Sequence, residues 1–264
     1  LPDLRVLLGV GAIFCLTATT IERNSLIGAS LLLAAMLVLI FCSLLPASSV
    51  AWQAVAVAVY VWWNKRLDHD RWNLLSLAYL AVPAVSPLLL SQFLLTHDMY
   101  NHLLWLNQLD RLVHQGVLYP RWAPDLNLGH GSSAFNFYAP GARYLMEAWH
   151  LLGFNHVNAL NLTFACAMFL SILGMYLYAR RFFGRGAALL ASVAYLYFPY
   201  HLADTYVRGA AGETITLALL PFVLWALEKM LRRPSLRWMA LLAGLLALTL
   251  VAHNVLALFS IPLV

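Results

Sequence analysis

The sequence is poor in charged residues and in cysteine. Only 10% of its 264 residues are charged, against about 25% in soluble domains. Its three cysteines, Cys15, Cys42 and Cys166, lie far apart inside apolar runs, so we interpret them as small core residues. The motifs of P-loop ATPases, HExxH zinc proteases, GxSxG hydrolases and CxxC thiol proteins are absent. These absences argue against a soluble domain and those enzyme classes, and we expect neither a nucleotide nor a redox cofactor.

Apolar residues make up 62% of the chain, in continuous runs. A membrane-spanning helix needs about 20 mostly apolar residues. Seven or eight runs are candidates, near residues 5–21, 26–46, 48–63, 74–95, 157–178, 186–203, 214–230 and 238–264. Continuous rather than alternating runs favour helices over a β-barrel. The sequence therefore predicts an all-α, polytopic transmembrane bundle with residues 1–264 as a single domain. Because the chain begins at Leu1 and ends inside an apolar run at Val264, we expect it to be a segment of a longer protein.

The basic residues predict the orientation of this bundle. Ten of the sixteen Lys and Arg residues lie in three short loops. The first loop contains Lys65, Arg66 and Arg71, the second Arg180, Arg181 and Arg185, and the third Lys229, Arg232, Arg233 and Arg237. Cytoplasmic loops collect Lys and Arg, so these loops are predicted to be cytoplasmic, and segments 96–156 and 204–213 to be outside. The net charge of +5 then reflects topology, and no nucleic-acid partner is expected.

The long outer segment 96–156 differs most from lipid-facing chemistry. Residues 98–113 place apolar and polar side chains on separate faces at helical spacing, which predicts an amphipathic helix in the membrane interface. Gly116 and Pro120 end it. The stretch 119–144 that follows is rich in proline, glycine and aromatic residues, which predicts an ordered functional loop.

Asp98 is the sharpest catalytic candidate because it follows an apolar run and begins the interfacial helix. A partly desolvated carboxylate there could act as a general base. His102 lies four residues on, on the same helical face, so the pair could form a proton relay or bind a divalent cation. The structural alternative is that Asp98 caps the helix by accepting a backbone N–H.

A second cluster begins at Arg208, which precedes a Gly-Ala-Ala-Gly run, and continues with Glu213 at the start of the next apolar run. An arginine beside a helix N-terminus suits a phosphate, but Arg208 could equally form a salt bridge with Asp204 or Glu213. Glu213 is either functional or complements the helix dipole. His253 interrupts the last apolar run, so it either lines the same site or packs between helices.

Four residues of the outer loop are candidates for substrate contact: Tyr119, Trp122, His130 and Tyr138. Aromatic rings there could stack on sugars, or they could form an interfacial belt. The sequence assigns no set of metal ligands, and a divalent cation stays open as a cofactor.

An acid just after a span, followed by a long outer loop with an interfacial helix, resembles the GT-C superfamily of polytopic glycosyltransferases. The runs HDMYNHLLWLNQLDRL, GVLYPRW, LGHGSSAFNFYAP, YVRGAAGE and AHN look like the prokaryotic 6-pyruvoyl-tetrahydropterin-synthase-related membrane proteins. By this resemblance, Asp98 is the base that activates the acceptor, and Arg208 contacts a lipid phosphate. No second acid flanks Asp98, and three apolar runs precede the span expected to be first.

The resemblance implies an integral protein of the prokaryotic plasma membrane. It would move a sugar from a polyprenyl-phosphate-linked donor to an unidentified acceptor on the non-cytoplasmic face, with membrane lipid around it. One alternative is a transporter or flippase for a lipid-linked sugar, which would use the same polar residues as a pathway. Another is a non-catalytic membrane assembly subunit.

Overall fold

The computed structural model describes residues 70–90 and 93–260. The predicted spans near 5–21, 26–46 and 48–63 lie outside these residues, as do Cys15 and Cys42. Residues 77–184 and 191–260 group into one compact unit, which is described below.

The described residues form helices joined by short turns, and apart from one isolated β-bridge between Ala123 and Ser132 they contain no β-structure. The helices are α1 (Asp70–Val85), α2 (Met99–His114), α3 (Ala134–Phe137), α4 (Gly141–Leu151), α5 (His156–Ala179), α6 (Arg185–Leu196), α7 (Pro199–Ala203), α8 (Ala211–Arg232), α9 (Leu236–Ala252) and α10 (Asn254–Ser260). A 3-10 turn, Ser86–Leu89, follows α1, and a π turn, Asp204–Arg208, follows α7. The all-α prediction is thus confirmed.

Two helices in this part of the chain, α5 with 24 residues and α8 with 22, are long and apolar enough to cross a membrane. At about 1.5 Å per residue, both exceed the hydrocarbon thickness of about 30 Å. They pack closely on each other, since a Cβ on Gly174 would lie 2.7 Å from the Phe222 ring. The predicted spans near 157–178 and 214–230 correspond to them, whereas a total of seven or eight spans is not established.

Three other predicted spans are not single helices. The run near 74–95 leaves α-helical geometry after Val85, where the 3-10 turn Ser86–Leu89 follows. The run near 186–203 is divided into α6 and α7, because Phe198 takes an extended ψ of 132° before Pro199. The run near 238–264 is broken at His253, whose backbone is extended with φ −157° and ψ 104°. There the His253 Nδ1 accepts the N–H of Leu256 at 3.0 Å and so caps α10.

The ends of α5 and α8 fix which segments meet. Near the C-terminal ends of both helices, Glu228 of α8 pairs with Arg181, at 2.8 Å, and with Arg232. At the opposite end, the Asp98 N–H donates to the Arg208 carbonyl at 2.8 Å, and His97 N–H to the Val207 carbonyl at 3.1 Å. The two predicted outer segments therefore meet at one end of the helix pair, and basic side chains gather at the other.

The predicted amphipathic helix is α2, and its apolar face is covered by the loop that follows. Leu109 and Leu112 of α2 pack with Ala123 and Phe135 in a small core of their own. The stretch 119–144, predicted as an ordered loop, is tied to α2, where Gln108 donates to Asp125 at 2.8 Å. Part of this stretch is helical, because α3 lies within it and α4 begins at Gly141.

Candidate functional site

A cavity of about 280 Å³ opens where the outer segments meet α8. It is lined by the first turns of α2, by the N-termini of α4 and α8, and by the break between α9 and α10. Helix N-termini present free N–H groups and positive partial charge. The cavity therefore combines three helix starts with a set of titratable side chains.

Asp98 lies at the N-cap position of α2, but its side chain forms no capping hydrogen bond. The half-buried carboxylate lines the cavity instead. Backbone bonds, not the side chain, hold this residue against Arg208. The capping alternative is therefore not realised by the side chain, and the carboxylate is free to interact with a ligand.

His102 lines the same cavity one helical turn further along α2. Its ring is partly exposed, yet its Nδ1 is sealed from solvent and has no hydrogen-bond partner. Burial lowers the pKa of His102 to about 4, and Asp98 only partly opposes this effect. The imidazole is therefore neutral at physiological pH. No third His, Cys, Asp or Glu completes a metal-type group with Asp98 and His102 among the described residues.

Arg208 forms a compact ion-pair cluster with two carboxylates. Its guanidinium binds Glu213 through two hydrogen bonds, of 2.6 and 2.7 Å, and Asp204 through one of 2.8 Å. The Tyr200 hydroxyl also accepts from Arg208, at 2.9 Å. The salt-bridge alternative predicted for Arg208 is thus present, and its contact with a phosphate stays a prediction.

Asp204 is fully buried at the base of this cluster. It accepts from Thr214 Oγ1 at 3.1 Å as well as from Arg208. Burial, together with the neighbouring carboxylate of Glu213, raises the pKa of Asp204 to about 7. The cluster therefore contains one acid that can gain a proton near neutral pH.

Glu213 and His253 bring α8 and the broken helix to the same wall of the cavity. His253 Nε2 lies 3.9 Å from Glu213 Oε1. Gly212 permits this approach, because a Cβ there would lie 2.6 Å from the Ala252 carbonyl oxygen. Asp98, Glu213 and His253, far apart in sequence, thus line one cavity, and Arg208 reaches it through Glu213.

Arg143, which the sequence reasoning did not single out, also lines the cavity. It is 4% exposed and donates to the Tyr138 carbonyl at 2.7 Å. Its guanidinium lies over the rings of Trp105 and Phe135, at 5.4 and 5.2 Å. Burial lowers the pKa of Arg143 to about 10, so it stays charged at neutral pH. Within the described chain it has no carboxylate partner. A sequence signal that could have identified Arg143 is the helix start at Pro140-Gly141, which places Arg143 in the first turn of α4.

The outer-loop candidates divide into two groups. Tyr138 lines the cavity, and its ring lies 4.7 Å from that of Trp105. Tyr119, Trp122 and His130 are exposed and do not line it. The Trp122 ring instead packs over Gly131, whose φ of +80° favours glycine. A substrate role for these three residues stays a prediction, and their position outside the cavity lining does not support it.

Residues 138–264 match the family model of dolichyl-phosphate-mannose-protein mannosyltransferases. That family consists of GT-C-type glycosyltransferases. The match supports a membrane glycosyltransferase. It includes Arg143, Arg208, Glu213 and His253 and does not reach Asp98. No curated protein and no solved structure matches the chain.

Proposed function

We propose that the chain transfers a sugar from a polyprenyl-phosphate-linked donor to an acceptor hydroxyl on the non-cytoplasmic face of a prokaryotic membrane. The observation that carries this proposal is the cavity shared by the uncapped Asp98 carboxylate, the buried Arg143 cation and the N-termini of α4 and α8. The family match suggests mannose as the first sugar to test. The finer resemblance to 6-pyruvoyl-tetrahydropterin-synthase-related membrane proteins stays an interpretation.

In this proposal Asp98 is the catalytic base. It takes the proton from the acceptor hydroxyl as that oxygen bonds to the anomeric carbon of the sugar. The bond from this carbon to the phosphate oxygen breaks, and the polyprenyl phosphate leaves with the electron pair. His102, four residues on, is in a position to orient Asp98 or the acceptor.

Arg143 is our first candidate for holding the donor phosphate. Arg208 already pairs with two carboxylates, whereas among the described residues the charge of Arg143 meets a carbonyl and two aromatic faces but no carboxylate. Preorganised positive charge in a partly dry site stabilises a leaving phosphate. Arg208 would contact the phosphate only by giving up a bond to Glu213 or Asp204.

Size and surroundings fit such a donor. A volume of about 280 Å³ lies near the lower end of ligand cavities, about 300–1,000 Å³, and suits a single sugar phosphate. Val251 and Val255, on either side of His253, are 44% and 56% exposed. The lipid tail could therefore run along an apolar surface next to the cavity.

The test is a transfer assay with the purified full chain, polyprenyl-phosphate-mannose and a panel of hydroxyl acceptors. Asp98→Asn should lower kcat by at least about 100-fold with KM for the donor little changed, since general-base catalysis contributes about 10²–10⁴-fold. Asp125→Asn is the matched control, because Asp125 is an acid of the same outer segment that lies outside the cavity. Full turnover by Asp98→Asn would refute the base assignment. A non-catalytic subunit would instead give no turnover with the purified wild-type chain.

One observation favours the transporter alternative. The helix break at His253 lies beside the cavity, and broken helices mark the binding sites of many transporters. The two functions separate in liposomes. A flippase moves labelled donor across the bilayer without acceptor, whereas a transferase releases polyprenyl phosphate only when acceptor is present.

A further inference from the structure

A second group of potential ligands lies at the opposite end of α2 from Asp98, where α4 ends and α5 begins. Asp110 of α2 faces His150 of α4 and His156, the first residue of α5. Asp110 Oδ1 lies 3.5 Å from His150 Nε2, and Asp110 Oδ2 lies 3.6 Å from His156 Nε2. The two imidazole rings stack with their centroids 4.1 Å apart. Three helices thus contribute one side chain each to a single point.

The hydrogen bonds around this group leave its inward atoms unused. His150 Nδ1 lies 2.8 Å from the Phe154 carbonyl oxygen, so its N–H is there and the lone pair of Nε2 faces Asp110. His156 Nε2 and Asp110 Oδ1 are buried without a hydrogen-bond partner. His114 Nδ1 lies 2.9 Å from the Asp110 carbonyl oxygen and also 2.9 Å from Asp110 Oδ1, closer than His150 Nε2, so a metal ion at Oδ1 would displace this contact. A backbone carbonyl that fixes the tautomer is the usual companion of a metal-binding histidine.

Glu147 adds a second uncompensated acid beside the group. Its side chain is 3% exposed, and neither carboxylate oxygen has a hydrogen-bond partner. A ligand atom from each of Glu147, Asp110 and His114 lies within 4.8 Å of the others. Within the described chain, neither Glu147 nor Asp110 is paired with a Lys or Arg. Two acids without a Lys or Arg partner, next to histidine nitrogens, form a set of donors that a divalent cation can bind.

We propose that Asp110, His150 and His156 bind a divalent transition-metal ion, of which Zn²⁺ is the first to test. Two imidazoles and a carboxylate suit Zn²⁺, whereas Mg²⁺ and Ca²⁺ prefer oxygen ligands alone. Ligands about 2.0–2.1 Å from a tetrahedral zinc lie about 3.3 Å from one another. The distances from Asp110 Oδ1 to His150 Nε2, 3.5 Å, and from Asp110 Oδ2 to His156 Nε2, 3.6 Å, are near this value, but the stacked rings would have to turn for both nitrogens to face one ion. Water or Glu147 would complete the coordination.

The site is separate from the cavity and does not depend on the proposed function. Asp110 follows Asp98 by twelve residues, which corresponds to about 18 Å along a helix. The ion would join α2 to α4 and α5, and would therefore hold α2 against the membrane-spanning candidate α5. Its three ligand side chains are 20% to 26% exposed, so the group lies close to the surface, although His156 Nε2 and Asp110 Oδ1 are themselves buried.

The experiment is Zn²⁺ titration of the purified, chelator-treated full chain by calorimetry, with metal content measured in parallel. We expect one Zn²⁺ per chain, a rise in melting temperature on binding, and no displacement by equimolar Mg²⁺. Co²⁺ in place of Zn²⁺ should give the visible absorption of a four-coordinate site. His150→Ala with His156→Ala should weaken binding by well over about 10-fold, whereas His130→Ala, an exposed histidine outside the group, should not weaken it.

The proposal is overturned if the stripped wild-type chain takes up no Zn²⁺, if the double variant binds it unchanged, or if Mg²⁺ competes equally. In the first case the side chains form a metal-free network of histidines and acids. Should the double variant fail to fold, the milder His156→Asn and the metal content of the wild-type chain decide the question.

Discussion

Replacing Arg208 with methionine tests the ion-pair cluster at the start of α8. The substitution keeps much of the side-chain length but leaves Asp204, which is 0% exposed, without its cation. Breaking a buried ion pair costs about 3–5 kcal/mol. Because the Arg208 side chain is 38% exposed, solvent screening reduces this figure, and we expect a loss of about 2 kcal/mol. For a chain of this size that corresponds to a fall in melting temperature of about 4–8 °C.

The loss of stability caused by Arg208→Met should depend on pH, because Asp204 changes its charge near neutral pH. The pKa of Asp204 is raised from 3.8 to about 7 even with Arg208 present, and removal of Arg208 should raise it further. An acid whose pKa is higher in the folded state stabilises the fold below its unfolded pKa, and that contribution is lost as pH rises through the folded value. The Arg208→Met defect should therefore be smaller at about pH 5 than at about pH 8, where Asp204 would be ionised and unpaired.

The assay is thermal unfolding of the full chain in detergent, followed by intrinsic fluorescence. Arg111→Met is the matched control, because Arg111 and its partner Asp125 are 53% and 44% exposed and such pairs contribute about 0–1 kcal/mol. Adding Asp204→Asn to Arg208→Met should recover part of the loss. Equal defects for the two arginine variants, or a defect independent of pH, would refute the reasoning.

Two further predictions concern residues outside the proposed chemistry. Gly209→Ala should destabilise the protein by at least about 1 kcal/mol, because its φ is +68° and the new Cβ would collide with Thr96. Gly244→Ala, in α9 with open space around it, should instead stabilise by about 0.5–1 kcal/mol, and melting temperatures of the two variants compare them directly. Glu228→Gln should lower the melting temperature, since Glu228 pairs with Arg181 and Arg232, and leave the KM for donor unchanged. A selective rise in that KM would show that this end of α8 contributes to donor binding.

Most of what the sequence predicted about this part of the chain rests on periodicity and length. Continuous apolar runs anticipated α5 and α8, and the separation of polar and apolar faces over 98–113 anticipated α2, observed as Met99–His114. The predicted unbroken runs near 74–95, 186–203 and 238–264 were wrong as single helices. Pro199 was a visible signal for the break in the run near 186–203. The break in the run near 238–264 depends on the His253 side chain capping α10, which hydropathy does not encode.

The site was harder to predict, because its members come together through tertiary contacts. Arg143 lies in a stretch interpreted as loop, and its importance arises from burial without a carboxylate partner. The group at Asp110 had a partial signal. Glu147 and His150 are three residues apart, and Asp110 and His114 four apart, spacings that place each pair on one helical face. Nothing in the sequence says that the three helices carrying these residues converge.

The enzyme proposal joins two halves of the chain that are supported in different ways. The family match covers the part with Arg143, Arg208, Glu213 and His253, which we propose holds the anionic donor. Of its two possible bases in the described cavity, Glu213 is already paired with Arg208, and His253 Nδ1 already accepts the N–H of Leu256. The free carboxylate of Asp98 comes from the half outside the match. Two backbone hydrogen bonds from residues 97 and 98 to Val207 and Arg208 hold it there, and they require Gly209 because the chain passes so close to Thr96. If the proposal is correct, donor binding and proton transfer both depend on this backbone contact, and loosening it should reduce turnover without removing any side chain from the cavity.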